Sequence, residues 1–129
     1  MITFSNPPGA PVPASSYSQA ALVQGPGRRL VISGQVGLTP EGVIVEGGEA
    51  QIALCVAHLR TILAAHGMGP EAIVKLTVYL TDAALVPAWR VARDGLMQGG
   101  APASTLIIVA GLADPRFLVE VEAEAFAAA

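Results

Sequence analysis

The residues best suited to chemistry in this 129-residue chain lie near its C-terminus, in the stretch Pro102 to Glu124. That stretch reads as two extended strands joined by a polar turn. The first strand opens on Pro102 and the hydroxylated pair Ser104 and Thr105, and the second carries Glu120, Glu122 and Glu124 at every other position. Strand side chains alternate between faces, so the three carboxylates project from one side and Val119, Val121 and Ala123 from the other. A carboxylate so placed can act as a general base or hold an attacking water, and a hydroxyl-rich strand start offers donors to a small ligand. The competing reading is a solvated strand face. Ser33 has no histidine and aspartate near it in sequence, which argues against a nucleophilic triad.

The elements that must position these groups follow from periodicity. Residues 1 to 16 are a proline-rich, extended lead-in with Pro7, Pro8, Pro11 and Pro13. Tyr17 to Val23 and Leu30 to Val36 read as two strands of a hairpin turning at Gly25-Pro26-Gly27. Gly34 inside the second strand suggests a bulge or a close backbone approach. Val43 to Val45 reads as a further short strand.

From Gly48 to His66, Ile52, Cys55, Val56, Leu59, Ile62 and Leu63 repeat at helical steps. Gln51, His58 and Thr61 are placed on the opposite side, and Gly67 and Gly69 end the helix. Ile73 to Leu80 alternates strictly, with Lys75, Thr77 and Tyr79 on the more polar face. Asp82 is placed to cap a second helix running to Met97. Its apolar stripe is Leu85, Trp89, Ala92 and Leu96, with Arg90, Arg93 and Asp94 off it. The order predicts one α+β domain over residues 1–129, a single mixed β-sheet with both helices packed on one face.

Composition narrows the function. The chain is 53% hydrophobic and 13% charged, where an average domain is roughly 25% charged. No apolar run reaches the roughly 18 residues of a membrane span, and no basic segment leads an apolar core as in a signal peptide. The shortage of charge therefore points to apolar surface covered by copies of the same chain. A net charge of −3 and scattered basic residues argue against a nucleic-acid partner. One cysteine fits a reducing, cytoplasmic setting, and two histidines at no ligand-like spacing argue against zinc. No metal or other cofactor is expected.

The segments Asn6-Pro7-Pro8, Tyr17-Ser18-Gln19-Ala20, Ser33-Gly34-Gln35, Ala50-Gln51, Val74-Lys75-Leu76-Thr77-Val78-Tyr79, Pro102-Ala103 and Val119-Glu120-Val121-Glu122-Ala123 run in a telling order. As an ordered set they resemble the YjgF/RidA (Rid) family, the endoribonuclease L-PSP-like proteins, over nearly the whole chain. The resemblance implies a chorismate-mutase-like fold, a homotrimer, and a small-molecule cleft at each subunit interface. It implies hydrolysis of reactive imines and enamines to keto acids and ammonia, a deaminase chemistry. It assigns Glu120 to the attacking water, Tyr17 to the cleft, and Gly34 to a close approach of backbone to ligand. Ser33 and the backbone near Leu106 join the substrate contacts.

The position at which such deaminases carry a carboxylate-gripping arginine is Ser104 here. A serine hydroxyl cannot replace a bidentate guanidinium. The family's helix asparagines fall at His58 and Trp89. The expectation is therefore a cleft that hydrolyses an imine or enamine other than the 2-aminoacrylate type. Arg90 or Arg93 could supply a different anion contact, and the alternative function is a non-catalytic ligand-binding or protein-interaction trimer.

Overall fold

Alternation and helical periodicity set the elements in the computed structural model, which describes residues 1–129. In chain order they are β1 (Ile2–Ser5), β2 (Ala20–Val23), β3 (Gly27–Val36), α1 (Gly48–Ala65), β4 (Ile73–Leu80), α2 (Val86–Met97), β5 (Ala103–Ile108) and β6 (Val119–Ala128). Single 3-10 turns at Pro70–Ala72 and Ala83–Leu85 lead into β4 and α2. No helix is long and apolar enough to cross a membrane.

The expected mixed sheet with two helices on one face is present, in the order β3-β6-β4-β5. β5 runs parallel to β4, and the other neighbours are antiparallel. The helix α2 supplies the long crossover that a parallel pair requires. Leu76, Val78 and Leu80 of β4 and Val119, Val121 and Ala123 of β6 point at the helices. They pack there with Ile52, Cys55, Leu59 and Leu63 of α1 and with Trp89 and Leu96 of α2. The other face carries Lys75, Thr77, Tyr79, Glu120, Glu122 and Glu124, cross-strand neighbours in the register of β4 and β6.

Several local expectations are corrected. The strand read as Tyr17 to Val23 is confined to Ala20–Val23, and it pairs with β1 in a separate ribbon instead of forming a hairpin with β3. Pairing with the ten residues of β6 lets β3 turn Ile32 onto the helix-covered core, which a four-residue partner outside the sheet could not do. Val43 to Val45 makes no strand, only an isolated bridge between Leu38 and Ile44.

β5 and β6 do not pair with each other, because β4 lies between them. A strand with a carboxylate on one face and Val or Ala on the other suits a central position, and β6 takes it. Asp82 caps the 3-10 turn before α2, accepting a hydrogen bond from the Ala84 N–H at 2.9 Å.

Two polar residues placed on solvent faces are buried. Gln51 is 1% exposed and Arg93 is 4% exposed. Gln51 donates to the Val45 and Arg116 carbonyls at 3.0 and 2.9 Å and accepts from the Leu118 N–H at 2.8 Å. It thereby ties the two long loops before α1 and β6. Three backbone partners explain why an amide side chain can sit there without a desolvation cost.

Candidate functional site

Two groups of polar residues stand apart in the chain, and each is assembled by local chain geometry. The first forms where the lead-in meets β5. The backbone N–H of Ser18 donates to the Pro102 carbonyl at 3.1 Å, and the Ser18 hydroxyl donates to the Ala101 carbonyl. These bonds and the bridge from Ser18 to Ala103 set Tyr17 beside Ser104. The lead-in is itself held: Asn6 Oδ1 accepts from the Gln19 N–H, and Gln19 Nε2 donates to the Pro11 carbonyl, both at 2.8 Å.

The result is a pocket of about 210 Å³. Tyr17, Ser104 and Leu106 form its strand side, with Ala14 and Ser15 of the lead-in. Trp89, Arg90 and Arg93 form its helix side. Trp89 is fully buried. No carboxylate lines the pocket, and two guanidinium groups do. Arg93 Nε and Nη2 donate to Asp94 Oδ1, and Nη1 donates to Ser15 Oγ, all at 3.3 Å.

The second group lies on the opposite face of the sheet. Between Ile32 and Gln35 the register of β3 against β6 shifts, so Ser33 and Gly34 form the bulge that the glycine suggested. The Glu120 carboxylate fills the space beside Gly34 where a β-carbon would otherwise stand. Along the same face Tyr79 Oη donates to Glu122 Oε1 at 2.6 Å, and Lys75 Nζ donates to Thr105 Oγ1 at 2.6 Å. Arg29 Nη2 meets Glu124 Oε1 at 3.0 Å.

The hydrogen bond to Glu122, followed by burial and then by the charges of Glu122 and Glu120, raises the Tyr79 phenol above its usual value. Across the sheet, burial and then the Glu120 charge push the Cys55 thiol up to about 12. Cys55 is buried on α1 and donates to the Gln35 carbonyl at 3.3 Å, as its place on the apolar stripe predicts.

The structure thus unites Tyr17, Ser104 and Leu106 in one pocket, and Gly34 and Glu120 at a bulge, with Ser33 in that same bulge. It does not unite the two groups. Ser104 is in register with Leu76 on the helix face, whereas Glu120 is in register with Tyr79 on the bare face. His58 joins neither group: its Nε2–H donates to the Leu38 carbonyl at 2.6 Å, since a carbonyl can only accept. Sequence reasoning set Arg93 off the buried stripe, although its spacing of four from Trp89 and three from Leu96 puts it on that stripe.

Comparison with known proteins gives a consistent result. The family model described as Endoribonuclease L-PSP matches residues 8–127. A RutC family protein of Aquifex aeolicus is 46% identical over 76 residues, a segment spanning 58% of this chain and 58% of the relative. Among solved structures, the conserved Rid-family protein YyfB of Yersinia pestis superposes with a TM-score of 0.85 at 30% identity. It covers 96% of this chain and 97% of its own. RidA of an Antarctic Psychrobacter superposes at 0.74 with 28% identity, covering 97% and 99%.

Proposed function

From the premise that this chain belongs to the Endoribonuclease L-PSP (YjgF/RidA) family, we propose that it hydrolyses a reactive imine or enamine in clefts between its copies. The observation that carries this reading is the placement of Ser104 and Glu120 on opposite faces of the sheet, with β4 between their strands. Within one subunit a ligand on the strand wall at Ser104 and a water on Glu120 do not meet. A second copy, set against the exposed edge of β5, brings one group to the other. Leu106, Ile107 and Ile108 on that edge are more than one-third exposed, the apolar surface that self-association would cover. In this reading the copies form a cytoplasmic homotrimer.

In the reaction, Glu120 takes a proton from water as its oxygen attacks the C=N carbon. Glu120 passes that proton to the nitrogen, the new hydroxyl gives up its proton by the same route as the C–N bond breaks, and ammonia leaves with a carbonyl remaining. An enamine first tautomerises to its imine. Tyr17, Ser104 and backbone amides near Gly34 and Leu106 orient the substrate, and Ser33 shares the bulge with Gly34. Because Ser104 supplies no charge at the strand wall, substrates bearing a carboxylate on the reacting carbon are held poorly.

The test is ammonia release from freshly generated imines with and without such a carboxylate. Turnover is expected for the second class, falling about 10²- to 10⁴-fold in Glu120→Gln, the usual range for loss of a general base. Turnover unchanged in that variant removes Glu120 from the chemistry, and ammonia release no faster than without protein leaves a binding protein without catalysis.

A further inference from the structure

We infer that the Tyr17–Ser104 pocket takes a ligand carrying an acidic group, which the guanidinium of Arg93 on α2 holds at the pocket wall opposite Ser104. This inference rests on reading that pocket as the substrate site. It goes further by assigning where the ligand's charge sits.

Arg93 is a cation that is 4% exposed, in a position where a methionine or leucine would pack without penalty. Its own partners hold it loosely. All three of its hydrogen bonds are 3.3 Å long, against a usual 2.9 to 3.0 Å. The one carboxylate among them, on Asp94, is 53% exposed, so solvent screens the pair. Arg116 and Asp114 show what a committed pair looks like in the same molecule, with contacts of 2.9 and 3.0 Å.

A guanidinium has five N–H donors, so two of those on Arg93 have no partner in the protein. A short bidentate contact with a ligand anion would use donors that the present contacts leave idle. Arg90, exposed on the next turn back, adds a second positive charge to the same pocket. This occurs in a chain whose net charge is −3. With Asp94 set against one of the two arginines, the pocket keeps a net positive charge in a chain that is acidic as a whole, and it draws anions.

Placement also limits the ligand. The charge is on the helix wall, and the uncharged Ser104 is on the strand wall, where the reacting carbon is oriented. An acid group at Arg93 is therefore separated from the reacting carbon instead of bonded to it. The class is small imines or carbonyl compounds whose carboxylate lies one or more carbons further along.

Trp89 makes this testable, because it is the single tryptophan and it lines the pocket. Calorimetry gives affinities and Trp89 fluorescence reports location, for 4-oxopentanoate and its neutral amide. The acid is expected to bind about ten- to a hundredfold more tightly than the amide, the range for one or two hydrogen bonds to a charged group. The preference should narrow with added salt. Arg93→Gln should abolish it, Arg93→Lys should keep part of it, and the exposed Arg90→Gln should lower it severalfold.

Equal binding of acid and amide, with a Trp89 signal for both, overturns the anion assignment and leaves the pocket as a substrate site. No Trp89 response to either ligand overturns both readings. If Arg93→Gln does not fold, the wild-type acid-to-amide ratio and the Arg90→Gln value decide.

Discussion

The carboxylate of Glu120 occupies the volume that a side chain at position 34 would need. The clash is with the movable end of a glutamate, and Gly34 does not have the positive φ that favours glycine. Gly34→Ala should therefore cost little stability, within about 1 kcal/mol of wild type. It should nevertheless displace the carboxylate and lower ammonia release as far as Glu120→Ala does. Urea unfolding and steady-state kinetics on the same preparations check the pair. A Gly34→Ala protein with full turnover would separate the bulge from the chemistry.

Ser104 of β5 and Arg93 of α2 line one pocket, so a guanidinium can be added on its strand side. Ser104→Arg should raise turnover of 2-iminopropanoate by tenfold or more, since it supplies a bidentate carboxylate contact on the strand. The same variant should bind 4-oxopentanoate no better than wild type. Ammonia release and calorimetry measure the two effects separately. Wild-type turnover of 2-iminopropanoate already equal to that of the variant would remove any importance from the strand-wall charge.

Cys55 carries a pH signature. Its thiol ordinarily ionises near 9.0, and in the fold it does so near 12 because burial, then the Glu120 charge, penalises the thiolate. Above pH 9 the unfolded chain loses this proton while the folded chain keeps it, so stability falls as pH rises. The contribution is full below pH 9 and lost by pH 12. Denaturant midpoints across that range should decline more steeply for wild type than for Cys55→Ala. At pH 8 iodoacetamide should leave the folded thiol unmodified and label it fully in guanidinium.

Gln51→Leu keeps the volume and removes every partner of two backbone carbonyls and one backbone N–H. Leaving several buried polar groups unpaired should cost roughly 3 kcal/mol. The change should appear as a lower urea midpoint with unaltered slope. A cost near zero would mean that water replaces the amide in both loops.

Much of this molecule is written plainly in its sequence. The strict alternation of Ile73 to Leu80 and the helical repeat from Ile52 to Leu63 sufficed for β4 and α1. Gly34 announced its bulge through the one property glycine lacks, a side chain. What stayed hidden depended on partners distant along the chain. Nothing local told β2 to pair with β1 instead of β3, or told β6 to insert between β3 and β4.

Arg93 was hidden for a different reason. Its spacing from Trp89 gave it a buried position, but a charge is normally discounted there. Gln51 is masked in the same way, a polar side chain at a buried position. Both exceptions are held by named hydrogen bonds that no pattern of polarity displays.

The strand order has a consequence for how the protein is made. β6 is the middle of the sheet and the last of its elements to leave the ribosome, so β3 and β4 wait for it with their inner edges unpaired. β4 and β5 can pair as they emerge, but the sheet closes only when Val119–Ala128 arrives. Until then the nascent chain exposes two strand edges to any other chain nearby. Vectorial synthesis thus leaves the decisive pairing until β6 emerges, and a ribosome stalled before residue 119 would release a product in which β3 has no partner in the sheet.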